Sequence, residues 1–116
     1  KAAVDQIRGR GGEVVFVRPP SAPELRVNEE AQVPKGKGWD HLLSNTGSIG
    51  VHADDLLQAQ NLTLPEWSHL NRACATVFTD AYVRRLAELT PRLKLRSDAP
   101  RPLSRTDCVT REIAFR

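Results

Sequence analysis

The sequence predicts an α/β fold with parallel strands, and three features of the chain support that prediction. A helix-like stretch ends at a glycine pair and leads directly into a short apolar run. A long irregular connection follows, as is typical of loops at the carboxyl ends of parallel strands. A long amphipathic helix then lies in the second half of the chain.

The first of these features is a helix, turn and strand in succession. Residues 1–10 have apolar positions at helical spacing, and Gly11 and Gly12 end that helix. The unbroken apolar run from Val14 to Val17 predicts a central strand that is buried on both faces. Arg18-Pro19-Pro20 ends the strand, because proline cannot donate a hydrogen bond to a neighbouring strand.

The connection from Ser21 to Gly38 is rich in proline and glycine, and it is open to a short helix around Pro23 to Glu30. A brief helical turn is predicted from Trp39 to Leu43, and a second strand from Ser48 to His52. We expect the long connection to help determine what the fold binds, because open α/β sheets bind ligands at the carboxyl ends of their strands.

The clearest predicted element is a helix from Leu70 to Leu89, in which one apolar stripe repeats every three or four residues. Ser68 and Asn71 are both candidates to cap its N-terminus. The stretch that follows is basic and weakly periodic, apart from a possible short strand from Glu112 to Phe115. We therefore predict a domain portion over residues 1–91 and a basic C-terminal tail over residues 92–116.

Composition and charge argue against a nucleic-acid partner. The formal net charge is +3, but the basic residues are spread along the chain and aromatic residues make up only 5%. A nucleic-acid-binding protein usually concentrates its positive charge and has aromatic side chains on which bases stack. The sequence has no apolar run long enough for a transmembrane helix and no recognisable signal peptide.

The chain begins at Lys1 and contains no methionine, which suggests a processed or partial polypeptide. Its two cysteines, Cys74 and Cys108, do not have the spacing of a zinc site. Cys74 falls on the apolar stripe of the long helix, and we expect it to be a buried free thiol. A bridge between the two cysteines in an oxidising compartment is the alternative.

Among the three histidines, His69 stands in the most suggestive setting. It follows Glu66 by three residues, in the segment P-E-W-S-H-L-N just before the long helix. A carboxylate held against one imidazole nitrogen fixes the tautomer, so that the other nitrogen can accept a proton from a serine hydroxyl. His69 and Glu66 are therefore the candidate catalytic residues, and the alternative is an ordinary pair on a surface loop.

The segment from Pro65 to Asn71, running into Ala75 to Thr79, resembles the last conserved block of SGNH (GDSL-like) hydrolases. In that family an acidic residue and a histidine, usually written D-x-x-H-L-N, precede the C-terminal helix. The run from Gly11 to Pro20 looks like a family strand that follows a helix. The resemblance covers roughly Lys1 to Leu89. It implies a flavodoxin-like, three-layer parallel sheet, of which this chain would form the C-terminal half.

The chain departs from the family pattern in two ways. Glu66 stands where the family usually has aspartate, and its extra methylene has to be accommodated by the loop. The nucleophilic serine of the family lies in an earlier G-D-S block, which this sequence lacks. A serine hydrolase cannot turn over without its nucleophile.

The resemblance implies an ester hydrolase or acyltransferase-type domain that acts on an acyl ester, needs no cofactor or metal, and is periplasmic or membrane-associated. An upstream half or another polypeptide would complete the domain, and this chain alone is expected to be inactive. The alternative is a non-catalytic structural or interaction subunit of a larger assembly.

Overall fold

The computed structural model describes residues 1–114 of the chain. In chain order the elements are α1 (Ala2–Gly9), β1 (Val15–Arg18), α2 (Pro23–Gln32), α3 (Trp39–Thr46), β2 (Ile49–His52), α4 (Arg72–Leu89) and α5 (Arg105–Ala114). Two short 3₁₀ turns, Ala53–Asp55 and Leu57–Ala59, follow β2. The helix predicted over residues 1–10 is confirmed, the connection that was open to a short helix forms α2, and the turn predicted at Trp39 is a helix of two turns.

The two strands form a parallel pair, with a register that runs from Val15 opposite Ile49 to Arg18 opposite His52. Parallel pairing needs a long crossover, and α2 and α3 provide it. The α/β prediction and the second strand are thus confirmed. Within residues 1–114 the sheet has these two strands only, which is fewer than a three-layer flavodoxin-like sheet requires.

The prediction of a central strand buried on both faces is wrong for β1 in this chain. Each of its four residues retains some exposure, and Val17 is 40% exposed. The apolar run correctly indicates a strand with apolar side chains on both faces. Burial of those faces also requires neighbouring elements, and within the described residues β1 pairs on one edge only.

Helices lie on opposite faces of β2. A Cβ atom added at Gly50 would sit 2.5 Å from Leu43 Cδ1 and 2.8 Å from the Trp39 ring, so α3 approaches the backbone of that strand closely. The next residue, Val51, points to the other face and is 1% exposed. Val51 joins the core that α4 covers.

The hydrophobic core lies between β2, the two 3₁₀ turns, α4 and α5. Its buried members are Val51, Ala53, Leu56, Ala59, Leu62, Cys74, Val77, Phe78, Ala81 and Cys108. No residue of β1 or α2 belongs to this cluster. The best-packed part of the described chain is therefore its second half.

The long helix α4 is confirmed, together with one of its two candidate caps. The Asn71 side chain accepts a hydrogen bond from the backbone N–H of Cys74 at 2.8 Å, which satisfies a donor that the first helical turn leaves open. The helix ends before the Thr90-Pro91 pair, as expected.

The expectation of a free thiol at Cys74 is wrong, because Cys74 and Cys108 form a disulfide with a Cα–Cα distance of 5.1 Å. The bridge joins α4 to α5, so the stretch interpreted as a tail contains a helix that packs on the core. The strand expected from Glu112 to Phe115 is also wrong over residues 112–114, which belong to α5. Phe115 lies outside the described residues.

Candidate functional site

The carboxyl ends of β1 and β2 lie side by side, because the strands are parallel and their last residues, Arg18 and His52, are paired. A cavity of about 380 Å³ opens at this edge. Residues from β1, the start of α2, the end of β2 and the loop before α4 line it: Arg18, Pro19, Pro20, Ser21, Pro23, Arg26, His52, Ala53, Asp54, Ala59, Gln60, Asn61, Leu62 and Leu64. Ligand sites of open α/β sheets form at this kind of edge.

Glu66 and His69 form a tight loop just before α4. The backbone N–H of His69 donates to the Glu66 carbonyl at 2.6 Å, and Trp67 between them has a φ of 28°. The turn brings His69 Nδ1 within 3.4 Å of Glu66 Oε2. The predicted pairing on one loop is therefore present, at a distance slightly longer than an ordinary hydrogen bond.

This loop is held against the segment that follows β1. The backbone N–H of Ala22 donates to the Trp67 carbonyl at 2.5 Å, and the N–H of Asn71 donates to the Thr63 carbonyl at 3.4 Å. The Glu66–His69 pair therefore lies at the same end of the sheet as the cavity. Its side chains are 77% and 78% exposed, respectively, and neither lines the cavity. Among the described residues, the pair therefore lies on the surface beside the cavity.

The pair brings a candidate base within 3.4 Å of a carboxylate, as an ion-pair contact between two exposed side chains. With Nδ1 turned toward the carboxylate, Nε2 of His69 is the nitrogen left to accept a proton. The described serines are Ser21, Ser44, Ser48, Ser68, Ser97 and Ser104, and none has a G-D-S setting. The described residues contain no group of three or more side chains that could hold a metal ion.

His52 is a histidine of the cavity that the sequence analysis passed over. It is 4% exposed, and its Nδ1 accepts a hydrogen bond from the backbone N–H of Asp54 at 3.0 Å. The ring of Trp39 packs edge-on against it, with the ring centroids 5.3 Å apart. Burial lowers the pKa of His52 from its ordinary value, and Asp54 only partly offsets that effect. Since Nδ1 is an acceptor, the neutral ring has its proton on Nε2.

Ion pairs attach α2 to the cavity edge. Arg18 contacts Glu29 at 2.5 Å, and the Ser21 hydroxyl donates to the same carboxylate at 3.1 Å. Burial raises the pKa of Glu29, but the bonds from Arg18 and Ser21 outweigh it and the net pKa is lowered. Arg26 bridges α2 to Asp54 at 3.0 Å. Both guanidinium groups are thus neutralised, which makes the cavity a poor site for a free anion.

The cavity histidine had a sequence signal, because His52 ends a predicted strand and such ends meet at the ligand edge of a parallel sheet. The ion pairs of Arg18 and Arg26 had no comparable signal, since their partners lie on elements whose relative placement the sequence does not specify. No family model, curated protein or solved structure matches the chain. Among residues 1–114, no helix combines the length and the apolar character needed to cross a bilayer.

Proposed function

We propose that this chain is the C-terminal portion of an SGNH-like ester hydrolase or acyltransferase-type domain whose nucleophilic serine lies on a different stretch of polypeptide. The observation that carries the proposal is the Glu66–His69 pair, held on one tight loop between the carboxyl end of β1 and the start of α4. The chemistry of acyl transfer needs a base oriented in this way.

In the proposed reaction, His69 Nε2 takes the proton from the serine hydroxyl as the serine oxygen bonds to the ester carbonyl carbon. The protonated His69 then gives that proton to the departing alcohol, which leaves an acyl-enzyme. Water, or a second alcohol, attacks the acyl-enzyme with His69 again as base, giving hydrolysis or acyl transfer. Glu66 keeps Nδ1 protonated and the ring in place.

The size and the accessible surface of the chain support the proposal that it is part of a larger domain. The radius of gyration is 16.0 Å, whereas a compact domain of this length is expected near about 13 Å. The accessible surface is 8008 Å², compared with roughly 6,300 Å² for a compact monomer of this mass. A further parallel strand on the free edge of β1 would cover Val17 and extend the pair toward a flavodoxin-like sheet.

The exposure of the catalytic pair fits the same proposal. A base that shares a site with a serine from another segment stays exposed until that segment docks. The edge that carries Glu66 and His69 is the edge at which α/β sheets bind substrates. On this view the cavity next to the pair, lined by Arg18 and His52, holds part of the ester substrate.

The proposal is tested by substitutions in the complete natural protein that carries this chain. His69→Ala should lower kcat for an aryl acetate by at least about 10³-fold, because the serine loses its base. Glu66→Gln should lower kcat less strongly, with little change in KM. His41→Ala is the matched control, since His41 is an exposed histidine on α3. The activity of this variant should equal that of the wild type. Full activity in the His69 variant would overturn the proposal.

The 116-residue chain on its own gives a second test. It should not hydrolyse nitrophenyl acetate above the rate of free imidazole, because no serine stands in a G-D-S setting. Robust turnover that disappears in His69→Ala, with the fold intact, would show that a local serine acts as the nucleophile.

A second candidate function is a non-catalytic interaction subunit, and the excess surface and free β1 edge favour it equally. The two candidates differ in one measurement on the assembled protein. A fluorophosphonate probe should label a serine of the assembly if the domain is an esterase, and His69→Ala should slow that labelling. An assembly that forms with wild-type affinity in the His69 variant and is never labelled identifies the interaction subunit.

A further inference from the structure

One wall of the cavity depends on a distant part of the chain. Ala59, Gln60, Asn61, Leu62 and Leu64 line that wall, and Asn61 has a φ of 55°, in the left-handed region that asparagine tolerates better than most residues. The Asn61 carbonyl accepts a hydrogen bond from Arg105 Nε at 2.9 Å. Arg105 is the first residue of α5, so the C-terminal helix contacts the cavity wall directly.

One contact ties the segment before α5 to α4, and two more order the start of α5 itself. Asp80 on α4 accepts from the backbone N–H of Leu103 at 2.9 Å. Asp107 accepts from the N–H of Ser104 at 2.8 Å and pairs with Arg101 at 2.7 Å. These contacts place the first turn of α5, and therefore Arg105, relative to the core.

The disulfide holds the helix body in place. Cys74 lies in the first turn of α4 and Cys108 lies in α5, 34 residues later, and both are fully buried. Leu103 and Val109 pack against the same core cluster. Of the α5 residues whose side chains the structure describes, Cys108 and Val109 pack on this cluster, so the bridge is one of the contacts that fix the helix.

We propose that α5 and the Cys74–Cys108 disulfide form a redox-dependent brace for the wall of the cavity at residues 59–64. The chain reaches its working form in an oxidising compartment, where the bridge locks α5 onto α4 and Arg105 holds the Asn61 carbonyl. Reduction releases α5 and loosens the wall. This inference concerns the cavity alone and does not depend on esterase activity.

The chemistry of the brace is a thiol–disulfide exchange. On oxidation the two cysteine thiols lose two electrons and two protons to a disulfide-bearing oxidant, which becomes a dithiol. A dithiol reductant reverses the reaction through a mixed disulfide with one of the two sulfurs. Since both sulfurs are buried, the attacking thiolate reaches them only when α5 has opened locally.

Amide hydrogen exchange, followed by mass spectrometry, tests the brace in the intact chain. In the oxidised protein, residues 56–64 and 103–109 should be protected. Dithiothreitol should speed exchange in both segments by at least tenfold, while α3 serves as the internal control and keeps its protection. A Cys74→Ala/Cys108→Ala variant should behave as the reduced protein does without any reductant.

Arg105→Ala separates the wall contact from folding, because it leaves the disulfide in place. Exchange should become faster at residues 56–64 and stay slow in the part of α5 near Cys108. Arg72→Ala, at an exposed arginine that starts α4, is the matched control and should leave both segments unchanged. Unchanged exchange at residues 56–64 in both the reduced protein and the Arg105 variant would overturn the proposal, even if α5 itself opens.

Discussion

His52 ends β2 in surroundings that disfavour its charged form. The ring is buried against Trp39, and its Nδ1 accepts from a backbone N–H, so protonation would break a hydrogen bond and bury a charge. Burial lowers the pKa of His52, with opposing contributions from Asp54 and Asp55. The folded protein therefore binds this proton less readily than the unfolded chain does.

That difference predicts how stability depends on pH. The stabilising contribution is complete above the unfolded-state pKa of about 6.5 and decreases as the pH falls below it. Urea unfolding between pH 5 and pH 8 should show a free energy of unfolding that declines below pH 6.5. His52→Gln should reduce this slope, whereas His41→Gln should keep it. Equal slopes in the wild type and the His52 variant would contradict this prediction.

Asp107 titrates at the opposite end of the scale. The bond from Arg101 and the backbone N–H of Ser104 lower its pKa from an ordinary 3.8 to about 2. A carboxyl with a depressed pKa stabilises the fold above its unfolded-state value, and this contribution is lost as the pH falls through the folded-state value. We expect α5 to loosen between about pH 4 and pH 2.

This loosening should appear as faster amide exchange at residues 103–109 below pH 4, after correction for the intrinsic exchange rate. Asp107→Asn removes the titrating group and should remove that pH dependence. Asp98→Asn, at an exposed carboxyl in the preceding loop, should leave it unchanged. If the pH dependence of amide exchange persists in the Asp107 variant, another carboxyl group causes it.

Single residues were predictable from sequence where the interaction is local. The Glu66–His69 pair and the Asn71 cap involve residues three apart, so spacing alone indicates them. The burial of His52 and the pairing of Cys74 with Cys108 depend on segments that the fold brings together from far along the chain. No local pattern specifies such contacts.

At the scale of elements, the close approach of α3 to β2 gives a sharp test. Gly50→Ala would place a methyl group 2.5 Å from the Leu43 side chain and 2.8 Å from the Trp39 ring, so these side chains, or the helix that carries them, have to shift. The loss in the free energy of unfolding should be about 1–3 kcal/mol, the usual cost of overpacking. Urea unfolding at neutral pH measures it.

Gly9→Ala is the matched control, because nothing lies within 4 Å of the added Cβ and the residue is the last of α1. Alanine is favoured over glycine in a helix by up to about 1 kcal/mol, so this variant should be as stable as the wild type or slightly more so. A Gly50 variant with wild-type stability would mean that α3 does not pack on β2 as described.

Helices were predictable largely in proportion to their length. The stripe of α4 is long and regular, and the helix begins and ends within two residues of its predicted bounds. The helix α5 was missed because it is only ten residues long, and its place on the core involves a disulfide to a residue far away in the sequence. The apolar run of β1 indicated a strand correctly, but burial also requires a neighbour.

For the whole molecule, the disulfide closes a large part of the chain into a loop. The two cysteines are 34 residues apart, and closing a loop of this length stabilises a fold by roughly 3–4 kcal/mol in the chain-entropy model. The Cys74→Ala/Cys108→Ala variant should lose stability of that order, plus the packing of the buried sulfurs. Thermal unfolding of the oxidised wild type and the variant measures the difference, and a change below about 1 kcal/mol would contradict it.

The core is concentrated in the second half of the chain, and this should determine where a protease cuts. Buried apolar residues join β2, α4 and α5 into one unit, while α2 buries none and is attached to the rest largely by partly exposed ion pairs. Segments held in this way open at a small cost in free energy, far below that of global unfolding. Brief trypsin treatment should therefore cut at Arg26, Lys35 and Lys37 as well as in the exposed loop of residues 91–102, and leave a resistant unit that starts near Trp39 and is held together by the disulfide. High salt should hasten those cuts by weakening the ion pairs, and any segment that docks on β1 and α2 in the intact protein should slow them.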